Sequence, residues 1–208
     1  METDTCAAVN DDNVPKLRAL LDAGTNLDLK DEDERTPLHW ACAIGRLEVA
    51  EFLLEHAKSS VNVQDDSGWT PLMSAASAGH GDIVGLLLSK GADANLANEN
   101  GQIPLHYHRG RQEIAELLLD YTQNANQADN VGSTPLTRAL GGKPSPGNTP
   151  LHLAITEGYE GIARFLLENG ANPNAKNLDG ERCTDLAKPA FRAEIQMLKE
   201  KKKGSEHP

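Results

Sequence analysis

Large side chains are scarce in this sequence. Aromatic residues make up 4% of its 208 positions, with two tryptophans, three tyrosines and three phenylalanines. A single thick core built around bulky rings is therefore excluded, and packing falls to alanine, leucine and glycine, which favours short helices set close together. Cysteine is equally scarce. Cys6, Cys42 and Cys183 stand far apart, form no CxxC pair and are odd in number, which argues against a secreted disulfide framework. No stretch approaches the roughly 18 consecutive apolar residues of a membrane-spanning helix. The opening METDTCAAVNDDN is acidic and has no apolar segment, so it does not read as a signal peptide. The expectation is a soluble monomer of the cytoplasm, the nucleus or both.

A broad basic surface is also missing. The formal net charge is −11, and residues 1–66 hold 6 basic against 15 acidic side chains. Residues 188–203 reverse the balance, with six Lys or Arg against two Glu; the run Lys199 to Lys203 reads as a solvated helix end, with a localisation signal as the alternative. Nucleic acid needs an extended cationic face. An acidic one suits a protein partner with basic patches.

What is present is a repeat. Thr-Pro-Leu recurs at 36–38, 70–72, 134–136 and 149–151, with Ile103-Pro104-Leu105 as a variant. The prolines are 34, 33, 31 and 15 residues apart, and a degenerate copy, Arg182-Cys183-Thr184, follows 33 residues later. In the copy at 68–95, Thr70 can cap a helix that Pro71 begins, since the first helical position needs no amide donor. Ala75, Ala76 and Ala78 let that helix lie close to its neighbours, and Gly79 ends it. Ile83, Val84, Leu86, Leu87 and Leu88 give the second helix an apolar side, and Gly91 stops it. No such unit buries its leucines alone; stacking does.

A period of 33 with the TPLH string resembles the ankyrin-repeat family across almost the whole chain. The resemblance implies an all-α solenoid of stacked helix-turn-helix units with loop tips on a concave face. The expected organisation is an N-terminal cap at 1–32, repeats at 33–66, 67–99 and 100–130, a half repeat at 131–146, a repeat at 147–179, a C-terminal cap at 180–203 and a tail at 204–208. Between Pro135 and Pro150 there is no room for a second helix, so the leucines on either side of the gap are expected to be exposed. Residues 137–147 are expected to be the least ordered internal stretch. The unit at 103–120 is short by two residues.

No catalytic constellation stands out: GxSxG, the P-loop and paired CxxC motifs are all absent. His39, His106 and His152 share the fourth place of TPLH, where Met73, Thr137 and Asp185 stand in other copies. A metal site would not tolerate such replacement, and in the family that imidazole bridges adjacent loops. His106 and His108 lack a third ligand. Asp31 to Glu34 and the pair Asp65 and Asp66 read as turn tips and solvated faces. A non-enzymatic protein without cofactor or metal is expected.

Function must then lie on the surface. The family's variable positions, its loop tips and the inner ends of first helices, fall here on Asp33, Arg35, Asp66, Ser67, Trp69 and Gln102, and on Trp40, Tyr107, Arg109 and Arg138. Tryptophan, tyrosine and arginine dominate binding hot spots. For Trp40 and Tyr107, packing between helices is an equal alternative; Trp69, read as a loop tip, points to binding with little core behind it.

The strings ERTPLHWACAIGRLEVAEFLLE, DDSGWTPL and GNTPLHLA are similar to the gankyrin branch of the family, assembly chaperones of the proteasome regulatory particle. That resemblance implies a partner, the C-terminal domain of a proteasomal AAA-ATPase subunit, gripped by an arginine and acidic residues of the early repeats. By motif position these are Arg35, Asp33 and Asp66, with Trp40 and Trp69. An LxCxE motif of that branch would fall at Leu153, Ile155 and Glu157; Ile155 replaces its cysteine, so the retinoblastoma contact is not carried over. The alternative is a general ankyrin adaptor for signalling or cell-cycle proteins such as kinases. If no metal is needed, adding a chelator should leave the melting temperature and helical circular dichroism unchanged; a loss of several degrees would contradict this.

Overall fold

The computed structural model describes residues 4–58, 60–139, 147–168 and 171–205, with the backbone alone at 139 and 199–205. Each unit is a pair of short helices, and the start of the first helix is set chemically. The Thr70 hydroxyl accepts the Met73 amide at 3.2 Å, and Pro71 occupies the first turn. At the other end Gly79 takes a left-handed φ of 97°, and its amide returns to the Ala75 carbonyl. Only glycine adopts that backbone without strain.

First helices form one row: α1 (Asp4–Asn10), α3 (Pro37–Ile44), α5 (Pro71–Ala78), a 3-10 turn (Pro104–Tyr107), α8 (Pro135–Ala139), α9 (Pro150–Thr156) and α11 (Cys183–Leu186). Second helices form another: α2 (Val14–Asp22), α4 (Leu47–His56), α6 (Gly81–Ser89), α7 (Gln112–Leu119), α10 (Glu160–Glu168) and α12 (Pro189–Ser205). Each member packs on the next in its row. The small residues make this possible: Ala41, Ala75, Ala76, Ala115, Ala154 and Ala163 are all fully buried. One continuous core runs the length of the array.

Two local departures follow from missing residues. The unit lacking its alanine pair cannot complete an α-helix. Its first helix is therefore a single 3-10 turn, after which the chain reverses through Arg109 at φ 48° and Gly110 at φ 77°. Among the described residues the half repeat supplies only α8, wedged between the 3-10 turn and α9, while residues 140–146, most of the stretch expected to be least ordered, lie outside the described residues. The expectation of exposed leucines beside the gap is overturned. α7 packs directly on α10, so Leu118, Leu119, Ile162, Leu166 and Leu167 are all buried. The second row closes across the missing helix because the apolar faces of α7 and α10 serve as partners for each other.

The TPLH histidines tie the units together. The Thr36 amide donates to His39 Nδ1 at 3.1 Å, which leaves the proton on Nε2 to donate to the Trp69 carbonyl of the next unit at 3.0 Å. His106 repeats this between Ile103 and Ser133, and His152 between Thr149 and Glu181. Burial pushes the His39 and His106 pKa values below the usual imidazole range, and that of His108 down to about 4. The unfolded chain therefore binds more protons than the folded one below about pH 6.5. The melting temperature should fall as pH drops from neutrality towards 5, and His106→Gln should flatten that slope. A melting temperature constant over this range would contradict the assignment.

Candidate partner-binding face

The loop before each first helix is built on one side-chain oxygen. Asp31, Asp65, Asn98, Asp129 and Asn177 each stand five residues before the first residue of the TPLH copy. Oδ1 of each of the first four accepts two amides of its own loop, from the residues two and four positions on, at 2.8–3.1 Å. Asn177 makes the second of these bonds, to Glu181. The residue three positions on has positive φ: Glu34 at 59°, then Gly68, Gly101, Gly132 and Gly180. Main-chain bonds then join neighbouring tips, Asp66 N–H to the Asp33 carbonyl, Glu99 to Ser67 and Asn130 to Asn100.

The second side-chain position of each anchor reaches sideways. Asp31 Oδ2 accepts Trp40 Nε1 at 2.7 Å, and the Arg35 guanidinium lies 5.6 Å from the Trp40 ring centre. Asp65 Oδ2 accepts Arg35 Nε at 3.1 Å, crossing from the first loop to the second. Trp69 crosses from the second to the third by packing on Tyr107, ring centres 4.4 Å apart. Beyond it runs a buried polar chain. Asn98 donates to the Tyr107 hydroxyl, Tyr107 to Gln102 Oε1, and Gln102 Nε2 to Asp129 Oδ2, which also accepts from Arg138.

Burial by itself raises the pKa of Asp31 and Asp129. Hydrogen bonds outweigh it and hold both below the usual carboxylate range: for Asp31 from Trp40 and two loop amides, for Asp129 from Gln102 and two loop amides, with Arg35 and Arg138 adding attraction. The chemistry of this face is thus anionic anchors buried behind exposed tips. Asp33, Asp66, Ser67 and Glu99 are exposed, and Asp33, Asp66 and Glu99 lie side by side along the joined loops. Among the described residues no group of three or more His, Cys, Asp and Glu side chains is placed to hold a metal ion. No described helix is long and apolar enough to cross a membrane.

A family model for ankyrin repeats in three copies matches residues 5–98 and 90–177. The chain belongs to the ankyrin-repeat family. Among relatives, it is 60% identical over 70 residues to the 26S proteasome non-ATPase regulatory subunit 10 of Dictyostelium discoideum, covering 34% of this chain and 30% of that protein. It is 42% identical over 83 residues to a probable 26S proteasome regulatory subunit, p28, of Saccharomyces cerevisiae, covering 39% and 36%. It is 30% identical over 194 residues to palmitoyltransferase ZDHHC13 of Mus musculus, covering 83% of this chain and 31% of that one. The chain spans less than half the length of these relatives.

Within the ankyrin frame, the anticipated contact residues separate into four groups. Asp33, Asp66 and Ser67 are exposed tips as expected. Arg35, Trp40, Trp69 and Arg138 are partly or fully accessible but already engaged with the anchors or the neighbouring unit. Gln102 and Tyr107 are corrected: at 5% and 8% exposure they are interior members of the polar chain. Trp69 is corrected as well, since it is half-buried against the core and Tyr107 rather than a free tip. Arg109 is exposed at the far end of the 3-10 turn, away from the loop tips. Asp31 and Asp65, read as parts of solvated turn tips, are corrected too: Asp31 is half-buried and Asp65 buried, each anchoring its loop. Asn98, Asp129 and Asn177 were missed, although their fixed place five residues before each TPLH copy was a visible signal.

Asp129→Ala should cost about 2–3 kcal/mol, because it strands Gln102 and two loop amides in the interior; Arg138 is more than a third exposed and adds little. Trp69→Ala should cost about 2 kcal/mol, between a surface change and a fully buried aromatic. Chemical denaturation reads both. A Trp69→Ala protein as stable as the parent would contradict the packing assigned to it.

Proposed function

We propose that this chain is a non-catalytic ankyrin scaffold that holds the C-terminal domain of a proteasomal AAA-ATPase subunit, acting as an assembly chaperone of the regulatory particle in the cytoplasm or nucleus. The observation that carries the reading is the row of exposed carboxylates at Asp33, Asp66 and Glu99, stiffened by main-chain bonds and backed by Arg35, Trp40 and Trp69. A rigid row loses little entropy on binding, and its charge speeds and orients encounter with a basic helical surface. The matches to two proteasome regulatory subunits support a proteasomal partner.

A general ankyrin adaptor for signalling or cell-cycle proteins such as kinases is the second reading. It is favoured by the match to palmitoyltransferase ZDHHC13, which covers more of this chain than either proteasomal match.

Purified C-terminal domains of the proteasomal ATPase subunits should discriminate. One should bind, with affinity that falls as salt rises. Asp33→Lys and Asp66→Lys should each weaken it about tenfold or more while shifting stability by less than about 0.5 kcal/mol. Arg35→Glu should weaken binding and also lower stability, because it sets a carboxylate against Asp65. Failure of every ATPase domain to bind, with a kinase bound through the same loops, would replace the chaperone reading by the adaptor one.

A further inference from the structure

The unit that lacks its second helix leaves a feature on the opposite side of the array from the loop tips. α8 occupies the first row with no partner of its own in the second, and α7 and α10 close beneath it. Their inner sides touch, while their outward sides part to form an open cleft of about 460 Å³. The Glu116 carboxylate lies directly against Gly161, over the space that a Cβ there would fill.

The lining of this cleft has two characters. Leu117 and Phe165, both only half-buried, supply an apolar floor. Glu113, Glu116, Asp120 and Glu168 stand around it; among the described residues that line it the one cation is Arg164, which is itself held by Glu194 of α12. The negative potential is strongest at one end. α7 and α10 run in the same direction, as successive second helices do, so their C-terminal carbonyls emerge together. Asp120 caps α7 there, and Glu168 is the last residue of α10. Both carboxylates add to the negative charge at this end of the cleft.

We propose that this cleft docks an amphipathic helix of a partner protein whose polar face is rich in lysine or arginine, seated on the outward side of the α7–α10 junction. Apolar residues of the incoming helix cover Leu117 and Phe165. Its basic residues meet Glu113 and Glu116 along one side and Asp120 and Glu168 at the end. Such a groove-bound helix is a recurring mode of peptide recognition. The site is independent of the loop tips, so it stands or falls apart from the reading given above.

The probe is a synthetic amphipathic peptide of leucine and lysine at helical spacing, with a leucine and glutamate version of the same pattern beside it. Binding to the full chain is followed by backbone amide NMR shifts. Saturable shifts centred on Leu117, Gly161 and Phe165 are expected with the lysine peptide and not with the glutamate peptide. The variant Glu116→Lys/Asp120→Lys, checked for an unchanged melting temperature, should bind the lysine peptide about tenfold more weakly. Equal binding by that variant would overturn the proposal. So would shifts confined to the loops at 31–35 and 65–69. Sedimentation showing a dimer that the charge variant abolishes would also overturn it, by assigning the cleft to a second copy of this chain.

Discussion

A side-chain oxygen that accepts two amides of its own loop is the contact on which this array depends. Each loop must reverse tightly, present a helix start and stay in register with its neighbour. The anchor meets the first need by pairing amides that the turn leaves without main-chain partners. It meets the second by fixing the residues that lead into the proline. The third is met at one carbonyl: Trp69, Ser133 and Glu181 each receive both the anchor's own amide and the Nε2 proton of the preceding unit's histidine. One acceptor thus couples the inside of a loop to the stacking of two units. Where Met73 replaces the histidine, the Arg35–Asp65 and Trp69–Tyr107 contacts on either side still carry the junctions.

This coupling explains why so much of the fold was legible and why the site was less so. Helix starts, stops and buried leucines are set within a unit, so Thr70, Pro71, Gly79 and Leu87 could be read from one copy. The side chain directly after the positive-φ residue, whether Glu34, Gly68 or Gly101, faces whatever the neighbouring unit presents. Trp69 meets Tyr107 and is packed; Gln102 meets Asp129 and is buried; Arg35 meets Asp65 and remains partly exposed. Residue type at those positions is the same whether the contact is a partner or a neighbour, and only the stacked structure decides. The closing of α7 on α10 was hidden for a related reason. The period counts residues along the chain and says nothing about whether two helices one and a half units apart can slide into contact.

The acidic balance takes on two meanings in the folded chain. Some carboxylates, Asp31, Asp65 and Asp129, are structural, and their charge is consumed by amides, guanidinium groups and an indole. Others, Asp33, Asp66 and Glu99, stand outside the hydrogen-bonded frame and are held in line by it. Counting charge over residues 1–66 merges the two. The stiffness of that row is what distinguishes it from an ordinary charged surface.

Carboxyl labelling read by mass spectrometry tests this most directly. The central claim is that the loop row, and not α4 behind it, receives the proposed ATPase domain. On addition of a proteasomal ATPase C-terminal domain that binds, Asp33, Asp66 and Glu99 should be protected, while Glu48, Glu51 and Glu55 on α4 should label as before. Protection of the α4 carboxylates with the loop tips unchanged would contradict the account.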